Sequence, residues 1–401
     1  MEKSLNQSFN EADRWLLANW SNINDVTAIV FLGRSGSVFL QSLLDNHSQV
    51  IMFGGCHLAF YYDFWEKKGE TAPNTEILIR EFCAYFACFF DAYAYCPLIQ
   101  GSQPAYEMGL ADMGPDRNER AEANREKFIS ALSVMLANFS KVDRKTFFQA
   151  IHVAFTIAIN QSEHLDQAKL PIIVHQLHVN CPTMVSKLCS DFPKTKILHM
   201  IREPFQTLGS HFKEFGYGCN VMHKFYFNGF PQAGAERSKA IKLEDLHSQP
   251  KPTLEKIIQW LGIGWEDSLL ESTFNGKKWW NMKNTEQVSG FNKVIISKNH
   301  GGFYYKLDNY RFKVLYSKRF KLWGYHSNRE ISKLERFLLL PLLFIPFKME
   351  VIDWRKNIST RGLGGLKHAI FDWLHRTKRR NYLIAAWKYS LTDEVREVPL
   401  L

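Results

Sequence analysis

Residues 27 to 39, TAIVFLGRSGSVF, constrain the fold more than any other segment of the chain. An apolar stretch typical of a β-strand runs directly into a short turn, and an apolar helical pattern follows from Phe39. The turn holds Gly33 and Gly36, which reach backbone angles that other residues avoid, so its N–H groups can curl around an anion. The helix then aims its own N–H groups and the positive end of its dipole at the same place. The segment predicts a strand, a phosphate-binding loop and a helix.

The side chains of this loop also suit an anion. Arg34 carries a permanent positive charge, and Ser35 and Ser37 add hydroxyl donors. The Gly-Lys-Ser/Thr signature of an ATP-binding loop is missing, which weakens an ATPase or kinase interpretation. A Gly/Ser turn after a strand also occurs in α/β proteins that bind no ligand there, so a second motif has to decide.

The second motif is KILHMIREPFQTLGSHF, at residues 196 to 212. An apolar strand ends at Arg202, Pro204 is suited to open a helix, and Ser210 lies about two turns further on. A positive charge at the carboxyl end of a parallel strand lies on the side of the sheet where ligands bind. The alternative is an ordinary ion pair between Arg202 and a carboxylate such as Glu203.

Together the two motifs resemble the sulfotransferase family that uses 3′-phosphoadenosine 5′-phosphosulfate (PAPS). A third block agrees: residues 240 to 262, AIKLEDLHSQPKPTLEKIIQWLG, resemble the family's strand, Glu-Asp-Leu, proline-spaced turn and helix. The resemblance covers roughly residues 25 to 325, and its specific motifs lie in three short blocks. The order and spacing of the three blocks are stronger evidence for the resemblance than any one block alone.

The resemblance implies roles for particular residues. Arg202 with Ser210 would hold the 3′-phosphate, and a Gly-Lys-rich segment containing Lys298, Gly301 and Gly302 would close over that side of the nucleotide. The 5′-phosphosulfate would lie in the loop formed by Gly33, Arg34, Ser35, Gly36, Ser37, Val38 and Phe39. The cytosolic branch of the family usually has lysine in place of Arg34 and often threonine in place of Val38. The backbone cradle and the arginine remain, so PAPS is the expected co-substrate, PAP the product, and no metal is expected.

An alcohol acceptor must lose a proton, and two histidines are candidates for the base. His57 follows the second predicted strand, near the place of the catalytic glutamate in tyrosine-protein sulfotransferases. His178 ends the third strand, near the place of the catalytic histidine in cytosolic sulfotransferases. We favour His57 slightly, and we expect Arg34 to take part in catalysis beside the base. Asp63 or Glu66 could serve instead if that segment is helical and faces the cleft.

Short buried strands predict the fold class. Besides residues 27 to 32, the segments 49 to 53, 171 to 177, 196 to 201 and 239 to 243 have this character, and helical patterns separate them. We therefore expect an α/β, P-loop-like three-layer fold with a central, mostly parallel sheet flanked by helices. The interval 57 to 168 is aromatic and lacks strand-like alternation, which predicts inserted helices whose aromatics are mostly core. In the resembling family such insertions roof the acceptor pocket.

The end of the chain differs in character from the rest. We predict a sulfotransferase domain over residues 1 to 330 and a helical C-terminal extension over residues 331 to 401. The apolar run FLLLPLLFIPF carries two prolines and is too short to span a bilayer, and the basic run HRTKRR follows at residues 375 to 380. The extension either lies on an anionic membrane surface or packs on the core with a solvated basic face.

Composition limits the classes of partner that the chain can bind and the cellular compartment in which we expect it. A net charge of +10 favours anionic ligands, and no zinc-finger, RNP-like or basic-repeat motif points to nucleic acid. The N-terminus lacks the apolar core of a signal peptide, so we expect a cytoplasmic enzyme, with peripheral membrane contact through residues 331 to 401 left open. The cysteines are odd in number and form no CxxC pair, which favours a reducing compartment and no structural zinc: Cys56, Cys83, Cys88, Cys96, Cys181, Cys189 and Cys219.

The sequence therefore predicts sulfuryl transfer from PAPS to a hydroxyl of a carbohydrate, lipid or small-molecule acceptor. Two alternatives remain. One is a nucleotide-dependent phosphotransferase, and the other is a non-catalytic membrane-surface adaptor on the same fold. The identity of the acceptor and the oligomeric state lie beyond the sequence.

Overall fold

The structure is a computed structural model. It describes residues 9–31, 34–95, 105–178, 182–215, 233–234, 236–281, 288–297, 301–325, 330–375 and 377–401.

A five-stranded sheet forms the centre of the fold, in the order β2-β3-β1-β4-β5. The pairs β1–β3, β1–β4 and β2–β3 are all parallel. The predicted α/β class and its parallel sheet are confirmed, and each predicted strand lies within two residues of an observed one. The strands are β1 (Val26–Phe31), β2 (Val50–Met52), β3 (Ile172–His178), β4 (Lys196–Ile201) and β5 (Ser238–Lys242).

The strand register brings the carboxyl ends of the central strands to one edge of the sheet. Phe31 at the end of β1 is aligned with His178 of β3 on one side and with Met200 of β4 on the other. The turn after β1, the end of β3 and the residues after β4 therefore begin at the same edge, where open α/β sheets bind their ligands.

Helices make up most of the remaining regular structure. Ser37 begins the helix after the first turn, two residues earlier than predicted, and Pro204 opens the helix after β4 as predicted. Two short strands, β6 (Thr273–Phe274) and β7 (Lys277–Lys278), form an antiparallel hairpin. The helices are α1 (Glu11–Asn19), α2 (Ser37–Leu44), α3 (Tyr61–Phe64), α4 (Thr75–Tyr85), α5 (Arg125–Leu136), α6 (Arg144–Ala158), α7 (Pro182–Asp191), α8 (Pro204–Phe215), α9 (Leu243–Ser248), α10 (Pro250–Leu261), α11 (Val294–Ser297), α12 (Lys306–Leu315), α13 (Ser317–Leu322), α14 (Lys333–Leu338), α15 (Lys348–His375) and α16 (Thr377–Leu391).

The predicted insertion is mostly helical in its described part, residues 57–95 and 105–168, with α3 to α6, short 3₁₀ turns and a π-helix (Trp65–Gly69). Met113 and Glu119 form an isolated antiparallel β-bridge in the irregular segment before α5. Phe82 lies at its centre, and its ring contacts the rings of Phe64, Phe86 and Phe147. All four side chains are buried. Most aromatic residues of this region therefore form helix core, as the sequence predicted, because large rings bury the most apolar area per residue.

The chain divides into two compact units. The first comprises Met1–Phe31, Gly36–Met200 and Leu243–Lys293, and the second comprises Leu32–Ser35, Ile201–Lys242 and Val294–Leu401. The predicted boundary near residue 330 is not tested by this division and stays a prediction.

Within the second unit, the last residues of the chain pair with β5. The Ala240 N–H donates to the Pro399 carbonyl (2.8 Å), and the Leu401 N–H donates to the Ala240 carbonyl (3.1 Å). The pairing satisfies backbone groups that an edge strand would otherwise expose. In the described part of the chain, no helix combines the length and the apolar character needed to cross a bilayer.

Two histidines are buried side by side in the first unit, His152 on α6 and His175 on β3, with ring centroids 5.9 Å apart. The Nδ1–H of His152 donates to the Phe148 carbonyl (2.7 Å). Burial lowers the pKa of His152 to about 4, and burial together with the charge of a protonated His152 lowers the pKa of His175 well below its usual value. Both rings are therefore neutral in the folded protein at neutral pH.

We expect this pair to make the protein acid-sensitive. Below pH 6.5 the unfolded chain protonates both histidines while the folded protein does not, so the unfolding free energy falls as the pH falls towards 4. For His152 alone the loss is about 3 kcal/mol across that window, at about 1.4 kcal/mol per pH unit. Urea denaturation at a series of pH values measures it, and His152→Gln should flatten the profile. An unchanged slope in that variant, equal to that of the exposed control His164→Gln, would contradict the prediction.

Candidate functional site

The second unit brings together the arginine of the first motif and the serine of the second. Arg34 lies in the turn after β1 with a left-handed backbone (φ +68°), and Ser210 lies on α8. The Arg34 Nε–H donates to Ser210 Oγ over 3.4 Å, a long hydrogen bond between residues 176 positions apart. The resemblance assigns these two residues to different phosphate groups, whereas the structure places them in contact. A guanidinium and a hydroxyl at one point are suited to an anion.

Arg202 lies in the same unit, directly after β4. Its side chain is buried, and its Nη2–H donates to the Ile295 carbonyl (3.0 Å). Glu203, the carboxylate proposed as an alternative partner, accepts a hydrogen bond from the Gln206 N–H (2.8 Å) at the start of α8. A carboxylate at this position satisfies a helix N-terminal donor, which gives Glu203 a capping role.

Ser35 and Gly36 give the turn the properties of an anion cradle. Ser35 is buried, and within the described residues its hydroxyl has no hydrogen-bond partner, which costs about 1–3 kcal/mol unless a ligand or water supplies one. Gly36 has φ +88°, and a Cβ atom built there would lie 2.4 Å from Cδ1 of Leu243. The left-handed backbone therefore favours glycine, and any side chain here would have to displace the Leu243 methyl group. With glycine the backbone is bare where Ser37 begins α2.

An aromatic stack stands one turn into α2, within the first unit. The ring of Phe39 lies flat on the His247 imidazole, with centroids 4.5 Å apart and planes 7° apart, and meets the Phe291 ring edge-on at 5.4 Å. His247 Nδ1 accepts from the Asn292 N–H (3.1 Å), so its ring proton is on Nε2. The sequence motif predicts a site role for Phe39 but not for His247 or Phe291. The position of His247 two residues after the Glu-Asp pair was the available signal.

The two candidate bases differ in what the structure describes of them. His57 begins a 3₁₀ helix (His57–Phe60) after β2, is buried, and meets the Phe89 ring edge-on at 6.2 Å. His178 is the last residue of β3, and its side chain lies outside the described residues. Both follow or end strands at the carboxyl edge of the sheet, and the choice between them stays a prediction.

Asp63 and Glu66 lie in a helical segment, as their candidacy required. The Asp63 carboxylate accepts from the Tyr85 hydroxyl (2.5 Å) and from Lys67 Nζ (2.8 Å). Glu66 forms an ion pair with Lys187. Both carboxylates therefore already have polar partners in the folded chain, and their candidacy as bases stays a prediction.

For four glycine and lysine candidates the structure gives few or no contacts. Gly33 and Lys298 lie outside the described residues. Gly301 begins a 3₁₀ helix (Gly301–Phe303), and a Cβ atom at Gly302 would meet nothing within 4 Å. Steric crowding therefore gives no reason for glycine at position 302, and the role of this segment stays a prediction.

His211 follows Ser210 on α8 and was not among the site residues predicted from the sequence. Burial, and then the positive charge of Arg34, lower the pKa of His211. Its imidazole is therefore neutral at neutral pH, next to the arginine of the loop. In the described part of the chain, no three His, Cys, Asp or Glu side chains are grouped as metal ligands.

Comparisons with known proteins find only distant likeness. No protein-family model matches the chain, and no curated protein sequence matches it. Among solved structures, the chain is similar to the sulfotransferase domain of the Synechococcus PCC 7002 olefin synthase, with 14% identity, a TM-score of 0.40, and coverage of 69% of this chain and 86% of that one. The sulfotransferase domain from the curacin biosynthetic pathway is 15% identical, with a TM-score of 0.36 and coverage of 68% of this chain and 89% of that one. A sulfotransferase from Mycobacterium avium is 12% identical, with a TM-score of 0.30 and coverage of 65% of this chain and 70% of that one. Values this low support no argument about function, which has to come from the site residues.

Proposed function

We propose that this protein is a sulfotransferase that moves a sulfuryl group from PAPS to a hydroxyl of a carbohydrate, lipid or small-molecule acceptor. The observation that carries the proposal is the contact between Arg34 and Ser210, beside a buried Ser35 hydroxyl that has no protein partner among the described residues. Two short motifs from distant parts of the chain supply one cluster of anion-binding groups. A nucleotide with several phosphate groups fits such a cluster.

In the proposed reaction one sulfur–oxygen bond breaks and another forms. The bond between sulfur and the oxygen that bridges it to the 5′-phosphate breaks, and its electron pair stays on the phosphate. A new sulfur–oxygen bond forms to the acceptor hydroxyl, whose proton passes to a base. By analogy with phosphoryl transfer, positioning and stabilisation of charge on the departing oxygens do most of the work.

The residues of the site divide this work. Arg34 and the amides around Gly36 are suited to the negative charge that builds on the departing phosphate. Arg202 supplies a second fixed cation for the 3′-phosphate. PAPS would supply the activated sulfuryl group that these residues position. The insertion at residues 57–168 is our proposed source of acceptor specificity.

Calorimetric titration with PAP, ADP and ATP, with and without Mg²⁺, tests the proposal. We expect PAP to bind at least tenfold more tightly than ADP without Mg²⁺, because only PAP carries a 3′-phosphate for a charge-assisted contact with Arg202. Preference for ATP with Mg²⁺ would instead favour a phosphotransferase. Absence of binding by all three nucleotides would refute a nucleotide site of either kind.

The same titration on an Arg202→Ala variant tests the assignment of Arg202 to the 3′-phosphate. The substitution should weaken PAP binding at least tenfold while changing ADP binding little, since each charge-assisted hydrogen bond contributes about 1.5–3 kcal/mol. Arg202→Lys keeps the charge and controls for loss of folding when the arginine is replaced. Arg80→Ala removes an exposed arginine outside the site and controls for the loss of one positive charge. Equal PAP affinity in Arg202→Ala and the parent protein would remove the 3′-phosphate assignment.

A further inference from the structure

An apolar face of the second unit is turned outwards. Leu334, Phe337, Leu338, Phe344 and Ile345 are 68, 60, 59, 43 and 43% exposed. Leu334, Phe337 and Leu338 lie on α14. Phe344 and Ile345 lie at the end of the 3₁₀ helix that follows it (Leu340–Phe344), and Pro341 between them is also exposed. We call residues 334–345 the apolar ridge. An exposed row of this kind is unusual on a soluble protein and marks an interaction surface.

The backbone of the ridge is firmly held, so its outward face does not reflect loose packing. Leu339 and Leu343 on the opposite side are buried. The Arg336 guanidinium donates to the Ser390 carbonyl (2.6 Å), and the Trp387 indole N–H donates to the Arg336 carbonyl (2.8 Å). Arg311 donates to the Leu342 carbonyl (2.8 Å). The segment therefore presents its apolar side chains from a fixed support.

A second exposed stripe lies on α15 in the same unit. Leu363 and Phe371 are both highly exposed, and Lys367 is exposed midway between them. Residues four apart share a helix face, so the stripe alternates apolar, cationic and apolar side chains. A lysine flanked by apolar groups can extend its ammonium towards phosphate while its stem stays among apolar neighbours.

The net positive charge of residues 331–401 favours one kind of partner for the apolar ridge over another. Residues 331–401 contain thirteen Lys and Arg against seven Asp and Glu. A second copy of the chain would bring the same positive charge against it, whereas an anionic lipid surface would attract it. Exposed Leu and Phe beside cations are the combination that holds proteins in the interface of an anionic bilayer.

We propose that the second unit docks on the surface of an anionic lipid bilayer, with the apolar ridge inserted among the headgroups and exposed cations such as Lys367 facing lipid phosphates. This proposal does not depend on the reaction proposed above. It concerns residues other than those of the proposed nucleotide site.

Vesicle flotation tests the proposal with the full chain. We expect binding to phosphatidylcholine vesicles that contain about one-third phosphatidylglycerol, and much weaker binding to pure phosphatidylcholine. Raising the salt from about 0.1 M to about 0.5 M should weaken it because the Debye length shortens. A Phe337→Ser, Leu338→Ser double variant should bind at least tenfold more weakly, since it removes two large apolar groups from the inserted face.

Matched variants separate this surface from general effects. Leu170→Ser removes an exposed leucine of the first unit and should leave vesicle binding unchanged. Lys367→Glu should weaken binding at least fivefold, whereas Lys194→Glu, an exposed lysine of the first unit, should weaken it much less. Circular dichroism and the PAP titration report whether each variant still folds.

Three results would overturn the proposal. They are no binding to anionic vesicles, equal binding by the ridge double variant and the parent protein, and equal binding to anionic and neutral vesicles. Light scattering that shows a dimer of the parent protein and a monomer of the ridge variant would assign the ridge to a second copy instead. Failure of PAP binding with intact vesicle binding would refute only the proposed reaction.

Discussion

Removal of the general base should lower kcat for sulfuryl transfer about 100- to 10,000-fold, and we expect His57→Gln to have this effect. His57 follows β2 at the carboxyl edge of the sheet, and its ring is held against Phe89. A neutral imidazole can take the acceptor proton, whereas an amide of similar size cannot. Initial rates at saturating PAPS with a chosen alcohol acceptor measure the loss.

His178→Gln is the decisive comparison, because His178 ends β3 at the same edge of the sheet. If His57 is the base, His178→Gln should reduce kcat far less than His57→Gln does. PAP affinity should be unchanged in the variant that loses the base. The opposite pattern would assign the base to His178, and small losses in both variants would exclude both histidines. His164→Gln, at an exposed histidine, controls for substitution itself.

Arg34→Ala should lower kcat about 100- to 1,000-fold and also weaken PAP binding. The guanidinium is the only charged side chain of the turn at residues 34–37, and loss of one preorganised donor to a developing negative charge costs about that much. Arg34→Lys restores the charge without the planar fork and should recover part of the loss. Rates and PAP titrations on the same preparations measure both effects.

The backbone of Arg34 provides a further control. Its φ of +68° is a conformation that glycine adopts without strain, so Arg34→Gly removes the charge and eases the backbone. Equal losses in Arg34→Ala and Arg34→Gly would attribute the effect to the side chain. Full activity in either variant would contradict a role for the Arg34 charge in the reaction.

The sequence predicted the sheet well because strands of this kind are recognised locally. Each strand is a short apolar run between turn residues, and burial on both faces of a parallel sheet requires such a run. The bend after β1 was predictable from its glycines, and the start of α8 from Pro204. Helix ends were less certain, since α2 begins at Ser37 and the predicted pattern began at Phe39. The first turn of a helix is the part that local pattern specifies least.

The candidate site was predictable only as separate motifs. The sequence named Arg34 and Ser210 but assigned them to different phosphates, and it had no means to predict that they touch. His247 was missed because its stacking on Phe39 depends on where α9 packs against α2. His211 was missed because only the folded chain places it in the field of Arg34. Contacts between distant residues depend on the packing of whole elements, which no local pattern contains.

The sequence by itself determined the α/β class, the five strands, the glycine-bearing turn and the helical character of the insertion and the extension. These follow from backbone preferences and from the burial that each run of residues requires. The tertiary structure alone decided which faces are covered. It buried His152 and His175 together in the core, and it left the apolar ridge exposed. Helical spacing shows which side chains share a face, but whether that face meets protein or solvent depends on the elements packed around it.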